Sequence, residues 1–423
     1  MSAAPFPPRE VTVVLTDRGG RLLGALGPLH VERPWWSEVE DVLGGLGATY
    51  GVRARVLRLL TSEEPYAGGP VTYLAEPVGP VPDRLDPVPP AAERAAAADP
   101  TRRQWWARPG ALEDLAGWAG AALARHGRGT LGDLRQRRTW NLSLVATLEA
   151  EGGRVWLKAV PAFLADEAAV LDVVHDVAPG LGPVVLGRDP ARRMALLDDV
   201  PGEDRYDETD PDLLAAMARR WVGVQAAAVD RVDDLLRAGA VDTRPAALVD
   251  DVAALLARPD VAAPLEPATL GRLHDLLDGL PARLDAVDAC GLPDTLVHGD
   301  LHTGNWRVTG ARADGGPDGG GLRLLDWGDV RIGHPALDLL RLAPAADPGL
   351  AAHVTQVWSA AWRAIVPGAA PDRAADLLRP VEPLVAATTY QRFLDGVEET
   401  ERVFHHLDVP AALRAAAGPV SGG

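Results

Sequence analysis

The chain is poor in cysteine, asparagine and lysine, and each shortage narrows the reading. Cys290 is the only cysteine in 423 residues, which excludes an intramolecular disulfide and fits a reducing compartment. Long apolar runs are missing too. The longest stretch without Asp, Glu, Lys or Arg is the 15 residues 348–362, which include His353 and Gln356; it is too short and too polar to span a bilayer. The start, MSAAPFPPRE, has neither a basic leader nor an apolar core, so no signal peptide is expected and the expected location is cytoplasmic, with no membrane partner. Basic residues are outnumbered 42 to 59, for a net charge of -17, which argues against a nucleic-acid partner and otherwise serves solubility.

The lysine shortage is the most informative. Of the 42 basic residues, Lys158 alone is Lys. A chain that uses Arg wherever a surface cation will do marks a retained Lys as a candidate for work that needs a compact ammonium, such as gripping phosphate oxygens; chance survival is the plain alternative. Asn occurs only at Asn141 and Asn305.

With 47% hydrophobic and 24% charged residues, the chain has an ordinary globular composition and the length for two or three domains. Residues 1–78 read as a small α/β module: a hairpin around Gly19-Gly20, a helix over 35–50, and strands over 53–60 and 71–75. Its order faintly resembles part of a Nudix fold, but Glu38 and Glu40 do not reproduce that family's metal-binding spacing. A structural or regulatory role is expected for it. Residues 79–107, rich in Pro and Ala, read as a linker or extended strap. Residues 108–200 read as a sheet-bearing lobe: a helix over 108–125, a hairpin over 142–160 that carries Lys158, a helix over 166–177 with Glu167 in its first turn, and two strands near 184–186 and 194–197. Residues 201–423 read as mostly helical, with helices over 211–229, 245–257, 268–288, 348–364, 371–388 and 389–406.

Those helices are interrupted by LVHGDLHTGNWRV, a spacer over 311–321, and LRLLDWGDVRIGHPALDLLRL. Short apolar strands carry Asp300 and Asp326 at their tips, with Asn305 close by. Two carboxylates and an amide suit phosphoryl transfer to an alcohol. One acid accepts a proton from a hydroxyl, while the other acid and the amide hold Mg²⁺ against nucleotide phosphates.

These residues, with Lys158, make residues 130–410 resemble the aminoglycoside phosphotransferase and choline kinase-like family, with an extra N-terminal module outside that pattern. The resemblance implies an α+β, bilobal protein-kinase-like fold: a small sheet-bearing N-lobe and a mostly helical C-lobe, preceded here by the α/β module. It implies ATP and Mg²⁺ as cofactors and a small hydroxyl-bearing acceptor, an amine-containing one among the options. Asp300 takes the place of the catalytic base, Asn305 and Asp326 those of the metal ligands. Lys158 takes that of the phosphate-binding ammonium, with Glu167 as its partner. His298 supports the catalytic loop through hydrogen bonds and Asp338 buttresses it. Residues 196–199 run past the adenine. In the turn that covers the nucleotide, Asn141 and Ser143 are candidate phosphate donors, though that turn lacks glycines. A protein kinase is disfavoured by HGD in place of HRD and by the lack of an APE segment. A nucleotide-binding pseudokinase or regulatory module is the alternative. For the acceptor, Trp306, Trp327 and the segment 390–399 with Asp395, Glu398 and Glu399 are the places to look; a solvated acidic face is the bland reading of those acids.

Overall fold

The structure is a computed structural model that describes residues 6–309, 321–343 and 346–418. Apart from Gly321, the spacer expected at 311–321 lies outside the described residues. The chain forms two compact units. The first takes Met1–Phe163, Val185–Asp198 and Phe393–His406, and the second takes Leu164–Val184, Asp199–Arg392 and Leu407–Gly423.

In the first unit, β1 (Arg9–Thr16), β2 (Leu22–Val31), α1 (Glu40–Tyr50), β3 (Ala54–Ser62) and β4 (Gly69–Pro77) follow the expected order. They form a sheet of order β2-β1-β4-β3 in which β1 and β4 run parallel. Alternation along β1 sends Val11, Val13 and Leu15 to one face, where they pack with Trp36, Val42 and Leu46, and sends Val14 to the other. In β3 the register shifts at Arg58, so Val56 and Leu59 share a face although three residues apart.

Within 79–107, where composition pointed to a strap, the chain is structured. Pro90 opens α2 (Pro90–Ala96), the AAERAA run continues it, and Ala92 and Trp106 are buried. α3 (Leu115–Ala124) is shorter than the helix expected over 108–125. β5 (Arg135–Thr139), β6 (Leu144–Ala150), β7 (Gly153–Ala159), β8 (Val185–Asp189) and β9 (Met194–Asp198) then form an antiparallel sheet of order β5-β6-β7-β9-β8. Its inner face, Leu144, Ala146, Leu157, Ala159 and Leu196, shares one core with Val14, Leu57, Trp106 and Ala119.

The second unit is mostly helical. It holds α4 (Glu167–Val177), β10 (Glu203–Asp204), α5 (Pro211–Ala227), α6 (Val232–Arg237), β11 (Val241–Asp242), α7 (Pro245–Leu256), α8 (Pro259–Ala262) and α9 (Pro267–Asp288). After β12 (Thr295–Val297), β13 (Trp306–Val308), β14 (Leu322–Leu324) and β15 (Arg331–Gly333) come α10 (Ala336–Leu342), α11 (Pro348–Ile365), α12 (Pro371–Leu378), α13 (Glu382–Gly396), of which the residues up to Arg392 belong to this unit, and α14 (Asp408–Ala417). Proline sits at the start of α5, α7, α8, α9, α11 and α12, where its missing N–H costs nothing. The helices expected over 371–388 and 389–406 are divided elsewhere: α12 stops at Leu378 and α13 starts at Glu382. Pro380 and Pro383 explain the break, and no breaker stands at 388–389. Among the described residues no helix is long and apolar enough to cross a membrane.

Candidate active site

The site is built outward from β12. Its three residues are buried and pair with β15, Leu296 opposite Ile332 and Val297 opposite Arg331. The chain then turns at His298-Gly299-Asp300. Gly299 has φ of 85°, and a Cβ there would lie 2.2 Å from the Asp329 carbonyl oxygen, so no other residue passes. This explains why the motif reads HGD.

Asp338, in the first turn of α10, fixes the turn from below. Its buried carboxylate accepts the N–H of His298 at 2.8 Å, the N–H of Gly299 at 3.1 Å and the Trp221 indole N–H at 2.8 Å. Burial pushes this carboxyl up to about 6, against the pull of those hydrogen bonds. The buttressing role expected of Asp338 is what the geometry contains. His298 is likewise buried: its Nε2 donates to the Leu325 carbonyl at 3.0 Å and its ring meets Trp327 edge-on, centroids 5.0 Å apart. Burial lowers its imidazole to about 4, so it stays neutral at ordinary pH and serves as scaffold.

Asp300 emerges from this frame with its side chain 30% exposed. Oδ1 accepts from Arg341 Nη2 at 2.8 Å and Nε at 3.2 Å, and Oδ2 lies 3.4 Å from His302 Nε2. Burial by itself raises this carboxyl, but the His302 hydrogen bond and the Arg341 guanidinium outweigh it and hold the group well below the usual carboxylate range.

Asn305 closes a 3₁₀ turn, Thr303–Asn305, and its Nδ2 donates to the Asp300 carbonyl at 2.9 Å. That orientation leaves the amide oxygen as the group able to ligate a cation. Its own carbonyl accepts Leu325 N–H at 2.9 Å, continuing the ladder in which Trp306 pairs with Leu324. Asp326 is the next residue, half-buried and at φ 67°, a left-handed conformation that Asp tolerates better than most. Hydrogen bonds thus tie Asn305 to Asp300 and to Leu325, the residue before Asp326. Two partly exposed oxygen donors fit a hard cation that takes its other ligands from phosphate and water. Among the described residues no group of three or more His, Cys, Asp or Glu could hold a metal by itself.

Glu167 opens α4, capped by Asp166, and is 5% exposed. Its Oε1 accepts Trp327 N–H at 3.2 Å, which ties this helix to the Asp326 turn.

The remaining candidates stand in the first unit. Lys158 lies on β7 between Val145 of β6 and Ala195 of β9. Alternation puts Val155, Leu157 and Ala159 in the core and turns Lys158 and Trp156 to the opposite face. Asn141 and Ser143 lie in the β5–β6 turn. Asn141 is 1% exposed and its Nδ2 donates to the Glu401 carbonyl at 3.1 Å, while Ser143 Oγ, also buried, accepts the Trp140 indole N–H at 2.9 Å. Both side chains hold the β5–β6 turn in shape from inside. Trp306 and Trp327 are fully buried and so do not line an acceptor face. Glu398 is buried in ion pairs with Arg58 at 3.3 Å and Arg103 at 2.9 Å.

The model of the "Phosphotransferase enzyme family" matches residues 148–377, more than half of the chain. The chain belongs to this family. It is a phosphotransferase that acts on hydroxyl groups of small molecules, and the family implies a nucleotide donor, usually with Mg²⁺. No curated protein sequence matches it. Among solved structures, the phosphotransferase is similar to macrolide 2'-phosphotransferase type I (18% identity over 70% of this chain and 94% of that one, TM-score 0.48). It is also similar to macrolide 2'-phosphotransferase MphH from Brachybacterium faecium (21%, 73% and 100%, TM-score 0.47). A choline/ethanolamine kinase family protein from Mesorhizobium loti is a third (18%, 67% and 94%, TM-score 0.39).

Arg341 is the site residue that sequence reading missed. A charged residue on a helix reads as solvated, but its place three residues after Asp338 puts it on the face that meets the His298-Gly299-Asp300 turn.

Proposed function

We propose that this phosphotransferase moves the γ-phosphoryl group of ATP to a hydroxyl of a sugar, amino sugar, aminoglycoside or amino alcohol, with Asp300 as its base. The supporting observation is the pair of hydrogen bonds that tie Asn305 to Asp300 and to Leu325, the residue before Asp326, which sets a partly exposed carboxylate and two further oxygen donors on connected segments. Phosphoryl transfer passes through a loose transition state, so catalysis is chiefly positioning and charge stabilisation. A carboxylate held ionised by Arg341 and His302 suits that work: it orients the acceptor hydroxyl and takes its proton late. Asn305 and Asp326 would hold Mg²⁺, which when bound neutralises charge on the phosphates. Lys158 would grip the α and β phosphates with Glu167 fixing the ammonium, and residues 196–199 would meet the adenine through backbone groups. An ATP-consumption screen over amino sugars, aminoglycosides, choline-like alcohols and nucleosides tests this, with Asp300→Asn as blank.

The second reading is a nucleotide-binding pseudokinase or regulatory module. It is favoured by a β5–β6 turn that has no glycine and whose Asn141 and Ser143 side chains are buried. Mg·ATP binding by calorimetry, with no transfer across that screen, supports it.

A further inference from the structure

We infer that His302 is a positioning residue for the transfer step: one imidazole orients the Asp300 carboxylate through Nε2 and, through Nδ1, fixes the turn that presents Asn305. This rests on the reading of Asp300 as the base.

Hydrogen bonds assign the ring its tautomer. His302 is the N-cap of the 3₁₀ turn Thr303–Asn305, and its Nδ1 accepts the Gly304 N–H at 3.0 Å. An imidazole nitrogen that accepts carries no proton, so the ring N–H is on Nε2. Nε2 is the atom beside Asp300, 3.4 Å from Oδ2. Contacts to a reacting group that are long before the substrate arrives tighten in the reacting complex. The backbone of His302 joins the same two residues: its N–H donates to the Asp300 carbonyl at 2.9 Å, and its carbonyl accepts the Asn305 N–H at 3.1 Å.

The ring is also held from its far side. β10 pairs with β13, Glu203 opposite Val308 and Asp204 opposite Arg307. Tyr206, two residues on, meets the imidazole edge-on with centroids 5.8 Å apart. Gly304 makes room for both rings. A Cβ there would lie 2.5 Å from Tyr206 Cδ2 and 2.9 Å from His302 Cε1, pushing them aside.

The consequence for Asp300 follows from its lone pairs. Oδ1 takes two N–H groups of Arg341, at 2.8 and 3.2 Å, which fill both of its sites. Oδ2 turns one lone pair to His302 and keeps the other for a hydroxyl. Asn305 Nδ2, 3.5 Å from Oδ2, makes its closer bond to the Asp300 carbonyl at 2.9 Å. Oδ2 is therefore the oxygen that receives the acceptor's proton, and the donors on either side hold the carboxylate plane so that its open lone pair points one way. Without the Nε2 donor the carboxylate swings, and a small misplacement of a reacting group costs rate.

Two substitutions separate the two nitrogens. The Asn amide oxygen stands as many bonds from Cβ as Nδ1 does, so His302→Asn keeps the cap and loses the donor to Asp300. The Gln amide nitrogen stands as many bonds from Cβ as Nε2 does, so His302→Gln keeps that donor and loses the cap. The test compares the full chain with these variants and with His302→Ala and Asp300→Asn. It measures melting temperature and steady-state transfer from Mg·ATP to whichever of kanamycin, choline, glucosamine, adenosine or water the parent uses fastest. His302→Asn should melt within about 1 °C of the parent yet lose about 10- to 100-fold in kcat, with the KM for ATP within about 2-fold. His302→Gln should melt about 2–4 °C lower and recover at least about 3-fold of that kcat. His302→Ala should show both losses. Parental kcat in His302→Asn overturns the inference, as does a His302→Gln variant no faster than His302→Asn. A raised KM for ATP in place of the lost kcat overturns it too. Parental turnover by Asp300→Asn is a separate result that removes the base assignment, and transfer to none of the acceptors removes the proposed function itself.

Discussion

Replacing Asp338 with alanine removes the acceptor that holds the His298-Gly299-Asp300 turn. Three buried donors lose their partner: His298 N–H at 2.8 Å, Gly299 N–H at 3.1 Å and the Trp221 indole at 2.8 Å. Each costs about 1–3 kcal/mol when left unpaired in the interior. An opposing term reduces the loss. Burial raises the Asp338 carboxyl from 3.8 to about 6, so keeping it ionised at pH 7 costs roughly 3 kcal/mol that alanine does not incur. The balance is a destabilisation of about 3 kcal/mol at pH 7, or roughly 6–12 °C in Tm. The pH dependence has a definite sign. An acid with a raised folded-state value contributes stability that is fully present below the unfolded value, 3.8, and is lost as pH rises through about 6. The Tm gap between parent and variant should therefore widen when the pH is lowered from 7.5 to 5. Melts by circular dichroism at both pH values, with turnover on a verified acceptor, provide the assay; turnover should fall about 100-fold as the turn shifts. A variant that melts with the parent at both pH values and keeps its turnover refutes the reasoning.

Arg341→Gln also makes a prediction about pH. The guanidinium helps hold Asp300 below the usual carboxylate range, so its removal lets that carboxyl rise and the acid limb of kcat/KM should move to higher pH; a limb that stays in place contradicts this. Asp326→Asn and Asn305→Ala should raise the Mg²⁺ needed for half-maximal turnover by about 10- to 100-fold, and unchanged metal titrations would remove both residues from the metal site. In the first unit, burial and then the Glu398 carboxylate push Glu401 up, opposed by the Leu59 N–H, Arg58 and Arg103. Its stabilising contribution is present at low pH and lost as the pH rises, so Glu401→Gln should melt above the parent at pH 9 and near it at pH 6. A lower melting point at pH 9 counts against that account.

The parts of the site that could be read from sequence are those where one residue type serves one purpose. Gly299 has no substitute against the Asp329 carbonyl, and apolar β12 and β14 announce strands that end in acids. The α/β module was legible from its alternation and turns, and the helical region from period and proline starts. What escaped were features fixed by tertiary partners. Arg341 differs from other surface Arg residues only in what it touches. The burial of Asn141 and Ser143 against Glu401 and Trp140 could not be read from a glycine-free turn. Trp306 and Trp327 look like ligand-facing rings until the packing buries them. The strap's burial of Trp106 depends on two sheets far apart in sequence sharing one core.

The central claim is that Asp300 is the group that receives the acceptor's proton. Single-turnover transfer from ATP to a verified acceptor, measured with Asp300→Asn alongside nucleotide affinity by calorimetry, tests it most directly. The account predicts a rate loss of about 100- to 10,000-fold with nucleotide affinity little changed. Transfer at the undiminished rate contradicts it.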